Sequence, residues 1–363
     1  MTEIPRKGRA AVLVEYNKPL EIRELPVPEI EPGGILVKTE MASVCGTDVH
    51  QWRGKGIAVP LPLVPGHEVI GRIISLGKGR TTDCAGTPIH AGDRIMWSHV
   101  SCGNCYPCTV LKQRTLCENR ISYGYNYSLT GAFAEYEYVV PLTEVVKVPE
   151  DLANEEIIGA ACAFRTAVGA FERMGGIGIQ SNVVVQGAGP VGLYCTLLAH
   201  LGGAKQTIII GAPAQRLELA KKWGAYHVIS IEKKPDAAER LKEIQNLTDG
   251  RGPDIVVEAS GVPTAFGEGM DMIRRGGRYL VIGQTSPDKI TLSPGTVVWK
   301  HLEIIGQCGA EISHYHQALQ IVKNHRHKYP FADIITGKYR LEEINEAYAS
   351  MEAGQDIKPA IMF

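Results

Sequence analysis

Between residues 183 and 282 the chain alternates apolar strand patterns with helical ones, and this alternation constrains its fold more than any other feature. Strand patterns at 183–186, 207–210, 227–230, 255–258 and 279–282 are separated by helical patterns at 190–201, 215–223, 236–247 and 266–273. Such strand–helix–strand units predict a doubly wound parallel sheet, an α/β fold. Residues 8–150 read differently, as short strands (11–14, 35–39, 69–76, 136–140) between Pro/Gly turns such as 31–34, with few helical stretches. Residues 155–174 have helical spacing, and the alternation stops after about 305. Helices near 313–324 and 341–353 then precede a last strand at 360–363. The expected plan is a β-rich domain of residues 1–163 and 305–363, interrupted by a parallel-sheet domain of residues 164–304.

The glycine-rich segment Gly187-Ala188-Gly189-Pro190-Val191-Gly192 follows the first of these strands and opens the first of these helices. In that setting the first glycine permits a tight turn, the second lets a pyrophosphate approach the backbone, and the third lets helix pack on strand. The unpaired N–H groups of the helix start face the phosphates. Gly187, Gly189, Pro190, Val191 and Gly192 are therefore expected dinucleotide contacts, with Ser260 and Gly283 just beyond two later strands. The acid that usually ends the second strand and binds the ribose hydroxyls is missing, and Gly211 stands there instead. Glycine removes a charge that would repel a 2′-phosphate, yet no arginine follows at once. Arg216 either reaches such a phosphate or is a solvated residue in the first turn of a helix. NAD and NADP both stay open, with a slight lean to NAD.

Four of the nine cysteines, Cys102, Cys105, Cys108 and Cys117, follow the spacing C-x2-C-x2-C-x8-C. The first residues have no apolar core and no cleavage site, so no signal peptide is expected and the reading is cytoplasmic. Clustered thiols in a reducing compartment usually hold metal. Four thiolates this close suit a closed zinc site in a lobe of about residues 98–120. A bacterial iron–sulfur run would bring its fourth cysteine earlier and follow it with proline. A nucleic-acid zinc ribbon would show two separated C-x2-C pairs and a basic surface, whereas this chain has a formal net charge of −1. That balance argues against nucleic-acid and acidic-membrane partners, and no apolar run reaches membrane-spanning length.

A second, dispersed group comprises Cys45, the pair His67-Glu68, and Cys162. By composition alone a lone histidine is more often packed or exposed than a ligand, and lone cysteines are more often small buried hydrophobes. The surrounding motifs change that balance: Val44-Cys45-Gly46-Thr47-Asp48-Val49-His50, Pro65-Gly66-His67-Glu68, Gly92-Asp93-Arg94, the four-cysteine lobe, Gly131-Ala132-Phe133-Ala134-Glu135-Tyr136, Ala161-Cys162 and the glycine turn. With them the chain resembles, from about residue 9 to its C-terminus, the zinc-dependent alcohol dehydrogenases of the medium-chain dehydrogenase/reductase superfamily.

The resemblance implies a GroES-like catalytic domain beside a Rossmann cofactor domain, with two zinc ions per chain. Cys45, His67 and Cys162 match the catalytic-zinc ligands, and Glu68 a carboxylate that can exchange onto the metal. Asp48 matches the acid that orients the ligand histidine, Thr47 the hydroxyl on the substrate oxygen, and His50 the solvent end of a proton relay. Thr166 resembles a residue near the nicotinamide, and Lys358 a basic pyrophosphate contact. The bland alternatives are that Thr47 and Asp48 serve a turn or a helix cap, and that His50, Glu68 and Lys358 are surface residues.

The implied activity is reversible hydride transfer between an alcohol, secondary or cyclic, and NAD(P), giving a ketone or aldehyde. A polyol or sugar dehydrogenase is the alternative on the same scaffold, disfavoured because those enzymes commonly carry Glu where Cys162 stands. A non-catalytic NAD(P)-binding protein with structural zinc is the alternative from another class. Family members form homodimers or homotetramers, and residues 302–307 are a candidate edge strand for pairing. Trp52, Trp97 and His99 lie near the ligand segments, either lining a pocket or packing the core. Two departures stand out: the gap before Cys117 is one residue longer than usual, and the 79–90 loop is long.

Overall fold

The computed structural model describes residues 4–55, 59–283 and 289–363. The described residues of Met1–Cys162, Glu311–Arg326 and Phe331–Phe363 form one compact unit, and those of Ala163–Ala310 and His327–Pro330 form the other.

In the second unit six strands make one parallel sheet, in the order His227–Ser230, Gln206–Gly211, Asn182–Gln186, Ile255–Glu258, Arg278–Val281, Glu303–Gly306. Val183, Val184, Val185, Ile208, Ile209, Val256 and Val257 are all fully buried. Both faces of these strands are covered, which is why they read as unbroken apolar runs rather than alternating ones. The helices Pro190–Leu201, Ala214–Lys222, Ala237–Leu247 and Pro263–Met272 fill the connections the sequence assigned to helix. The order of strands reverses between Asn182–Gln186 and Ile255–Glu258. In sheets of this type the crevice beyond that reversal takes the ligand. The domain boundary expected at 304/305 falls inside the edge strand Glu303–Gly306, which pairs in register with Arg278–Val281.

The first unit is built on a seven-stranded sheet, in the order Ile335–Arg340, Lys358–Met362, Ile35–Ser43, Val69–Leu76, Arg94–Trp97, Val145–Lys147, with Tyr136–Val139 also paired to Ile35–Ser43. The pair Ile335–Arg340 and Lys358–Met362 is parallel and the others are antiparallel. Val37, Ile73, Ile95, Trp97, Phe133, Tyr348 and Ile361 close its core. A separate two-stranded sheet pairs Lys7–Val12 with Glu21–Pro26. The last strand enters the middle of the large sheet beside Ile35–Ser43, so the C-terminal residues sit next to the segment that delivers Cys45.

Candidate active site

Register, more than any single turn, gathers the dispersed residues. Strand Val69–Leu76 starts just after His67-Glu68 and runs antiparallel to Ile35–Ser43, pairing Ala42 with Val69. The amide of Ser43 donates to the Glu68 carbonyl at 3.1 Å, and that of Val44 to the Pro359 carbonyl at 3.0 Å. Cys45 then caps helix Gly46–Trp52, its sulfur accepting from the Thr47 amide at 3.3 Å. Cys162 follows the short 3-10 turn Ile158–Ala161. Ligand atoms of Cys45, His67, Glu68 and Cys162 all lie within 4.8 Å of one another, and Cys45 Sγ is 3.4 Å from His67 Nε2.

Asp48 serves two of these donors. Its Oδ2 accepts from the Cys45 amide at 2.9 Å, and its Oδ1 lies 3.3 Å from His67 Nδ1. It therefore completes the capping box that Cys45 opens and touches the His67 ring at the same time. The latter contact fixes the proton on Nδ1 and leaves Nε2 as the donor atom toward the sulfurs. The contact with Cys162, then burial, pushes the Cys45 thiol well above the ordinary thiol range, so its ionised form needs a cation in this pocket. Two sulfurs and one imidazole are a soft donor set that suits zinc. The residues fit the metal.

Thr47 and His50 are both exposed on the same short helix, three residues apart and hence on one face. Glu68 is fully buried; its Oε2 accepts from the Ser43 hydroxyl and the Lys358 ammonium, and its Oε1 has no hydrogen-bond partner among the described residues. Lys358 is 1% exposed. Its ammonium is engaged by Glu68. Of the three pocket candidates, His99 alone is placed beside a ligand, its ring centroid 6.0 Å from that of His67. Its Nδ1 accepts from the Tyr123 amide at 3.1 Å. Trp97 is buried against Tyr123, and Trp52 donates to the Lys18 carbonyl at 2.6 Å and packs edge-on against Tyr348. These two tryptophans are packing residues, because their rings are spent on the core.

The sulfurs of Cys102, Cys105, Cys108 and Cys117 also lie within 4.8 Å of one another. Cys105 Sγ is 3.4 Å from Cys108 Sγ and 3.9 Å from Cys117 Sγ. Four sulfurs bound at about 2.3 Å to one zinc stand about 3.8 Å apart, whereas a disulfide brings two to about 2 Å. The amides of Asn104 and Cys105 hold the Cys102 thiol down to about 6, ready to bind as thiolate. This set fits one tetrahedral ion despite the longer gap before Cys117.

The glycine turn is built as its spacing suggests. Gly187 has φ +107°, and a Cβ there would stand 2.7 Å from the Ser260 amide nitrogen. A Cβ on Gly192 would stand 1.9 Å from the Gly187 carbonyl oxygen, so helix and turn touch. Gly189 is different: a Cβ on it would meet nothing within 4 Å among the described residues. It caps helix Pro190–Leu201 without a side-chain hydrogen bond, leaving the first amides of that helix available to an anion. The cradle fits a dinucleotide phosphate. Pro190 and Val191 form the first turn of that helix. Gly211 ends its strand against Ala188, where a Cβ would stand 2.6 Å from the Ala188 Cβ. An acid has no room there, which accounts for its absence. Arg216 is half-buried in the first turn of Ala214–Lys222, and Thr166 is buried in Ala163–Arg173. Glu258, at the end of the central strand, accepts from the Ser260 amide and hydroxyl and the Gly261 amide at 2.8, 2.7 and 2.9 Å. Gly283 packs against it.

Sequence reasoning passed over Ser43, Glu137 and Glu258. Glu137 is fully buried on strand Tyr136–Val139, opposite Val37. Neither of its oxygens has a hydrogen bond of normal geometry among the described residues. Burial pushes its carboxyl up to about 8, against the pull of Trp97 and His67. Nothing local marks it: burial along this strand does not alternate, and Tyr136 and Tyr138 flank the acid.

Residues 31–150 match the alcohol dehydrogenase GroES-like domain, and residues 190–324 match the zinc-binding dehydrogenase family. A 5-exo-hydroxycamphor dehydrogenase of Pseudomonas putida is 36% identical over 362 residues, covering 98% of each chain. An L-threonine 3-dehydrogenase of a Chelativorans species is 31% identical over 359 residues, covering 96% of each. Among solved structures, an alcohol dehydrogenase from Thermotoga maritima superposes with a TM-score of 0.92 at 34% identity, covering 98% of this chain and 99% of that one.

Proposed function

We propose, for a chain that belongs to the zinc-dependent alcohol dehydrogenases of the medium-chain dehydrogenase/reductase superfamily, reversible oxidation of a cyclic secondary alcohol to its ketone. Membership makes the chain an oxidoreductase and sets aside the reading of a protein that only binds dinucleotide. The observation that carries the proposal is the gathering of Cys45, His67 and Cys162 around one point, with Thr47 hydrogen-bonded to Cys45. When bound there, zinc supplies a Lewis acid for the substrate oxygen, and a nicotinamide dinucleotide supplies the hydride acceptor.

The chain's own residues then divide the work. Asp48 holds His67 and the Cys45 backbone in place. The Thr47 hydroxyl receives the substrate proton, and His50, exposed on the same helix face, passes it to solvent near neutral pH. Gly187, Gly189 and Gly192 admit the pyrophosphate, with Thr166 assigned to the nicotinamide end. The hydroxycamphor and the threonine in the relatives' names are both secondary alcohols, which supports that class over primary alcohols or polyols. NAD is the proposed dinucleotide because no arginine follows Gly211 directly.

The test is dinucleotide reduction, followed by absorbance, against primary, secondary, cyclic and polyol alcohols with NAD and NADP in parallel. Rates concentrated on cyclic secondary alcohols with NAD support the reading. A preference for polyols, or a selective loss of NADP use in Arg216→Ala, would reverse substrate class or cofactor respectively.

Self-association is part of the proposal. The edge strand Glu303–Gly306 follows helix Pro294–Lys300, on which Val298 is 68% and Trp299 80% exposed. An open strand edge beside exposed apolar side chains suits pairing with a second copy. Charged substitution of Trp299 should lower the particle mass seen by light scattering, and an unchanged mass would discard this interface.

A further inference from the structure

We propose that Lys358, assisted by Ser43, decides whether Glu68 joins the catalytic metal, and so keeps the fourth position of that metal open. The proposal rests on the assignment of Cys45, His67 and Cys162 as ligands and deepens it. Glu68 has a carboxylate oxygen within 4.8 Å of the donor atoms of those three residues. It is fully buried, so its charge must be met by a cation. Two cations are within its reach. One is the metal, and the other is the Lys358 ammonium, which is itself buried and bonded to Oε2.

Three neighbouring strand segments build this arrangement. Ser43 ends the strand Ile35–Ser43, with Glu68 on the segment to one side and Lys358 on the strand to the other. Ser43 donates its hydroxyl to the same Oε2, while Oε1 has no hydrogen-bond partner among the described residues. One oxygen is thus tied back by a cation and a hydroxyl. The other is held without a protein donor among the described residues. As long as Lys358 neutralises the carboxylate, the metal keeps three protein ligands and one open position. Without Lys358 the nearest remaining cation is the metal, and Glu68 closes the site. Ser43 contributes one neutral hydrogen bond, so its loss should act in the same direction and more weakly.

The experiment loads the full-length protein with cobalt(II) and follows its visible spectrum while imidazole, a ligand for the open position, is titrated in. Lys358→Met should weaken imidazole binding by about tenfold or more, and Ser43→Ala by less. The double variant Glu68→Gln, Lys358→Met should regain near-wild-type binding, because both the competing carboxylate and its counter-ion are gone. Chelator-driven cobalt release should slow in Lys358→Met and recover in the double variant. A Lys358→Met protein that binds imidazole as the wild type does would overturn the proposal. So would a double variant as weak as the single one. Ser43→Ala, which keeps the ion pair, provides the readout if Lys358→Met does not fold, and an unshifted titration in it then counts against the proposal. Failure of the underlying assignment looks different: the wild-type cobalt spectrum would not change in Cys45→Ser, and that result would overturn both.

Discussion

Asp48 Oδ1 lies 3.3 Å from His67 Nδ1 while the other oxygen of the same carboxylate accepts from the Cys45 amide. One buried side chain therefore sets the position of two donors that are far apart in sequence. Asp48→Asn can still accept one of these hydrogen bonds but turns a donor toward the other partner. Zinc affinity, measured by chelator competition, should fall about 10- to 100-fold, with little change in the far-ultraviolet circular dichroism spectrum. Unchanged affinity would reduce Asp48 to a partner of Cys45 in the capping box of the helix.

His50 is exposed in the last turn of helix Gly46–Trp52. Its proposed work is proton transfer alone. His50→Gln should slow turnover at neutral pH by about tenfold to a hundredfold, leave dinucleotide affinity intact, and regain rate when imidazole buffer is added. Rate loss without buffer rescue would point to packing instead.

Two glycines of the same turn should respond differently to one methyl group. At Gly192 the added carbon meets the Gly187 carbonyl, and at Gly189 it meets nothing within 4 Å among the described residues. Gly192→Ala should lower thermal stability and dinucleotide binding together. Gly189→Ala should leave the melting temperature near that of the wild type and raise the dinucleotide Kd, because only the bound phosphate contests that space. Equal stability losses in both would contradict the assignment of Gly189 to close backbone approach.

Glu137 makes stability depend on pH. Its folded carboxyl is raised from 4.5 to about 8. Between those values the folded chain holds a proton that the unfolded chain has released, so its contribution is present below the lower value and is lost as pH rises through the upper one. Glu137→Gln removes the dependence. Its stability relative to the wild type should rise with pH across this window, by about 1.4 kcal/mol per pH unit at most. Denaturant midpoints from about pH 5 to about pH 9 read the difference directly, and parallel curves would show that Glu137 is ionised throughout.

Much of this was legible in the chain, for identifiable reasons. Parallel strands covered on both faces leave unbroken runs such as Val183, Val184 and Val185, and these announce themselves without tertiary information. Clustered cysteines and a glycine turn carry their spacing in the sequence. Helix Gly46–Trp52 was not read, because it is short and its inward residues, Asp48 and Gln51, are polar. The pairing of Lys358 with Glu68 depends on which strands flank Ile35–Ser43, and no local pattern states that. Resemblance names Lys358 as a pyrophosphate contact, and the fold adds a buried ion pair with Glu68 that no motif announces.

Cys45, His67 and Cys162 are proposed to hold a zinc needed for dehydrogenation, and the four-cysteine lobe another. Zinc content and cyclic-alcohol oxidation measured together on the wild type and on Cys45→Ser test it most directly. The variant should lose one zinc of two and all measurable turnover while its lobe and fold persist. A variant that keeps both ions, or keeps its rate with one, would contradict it.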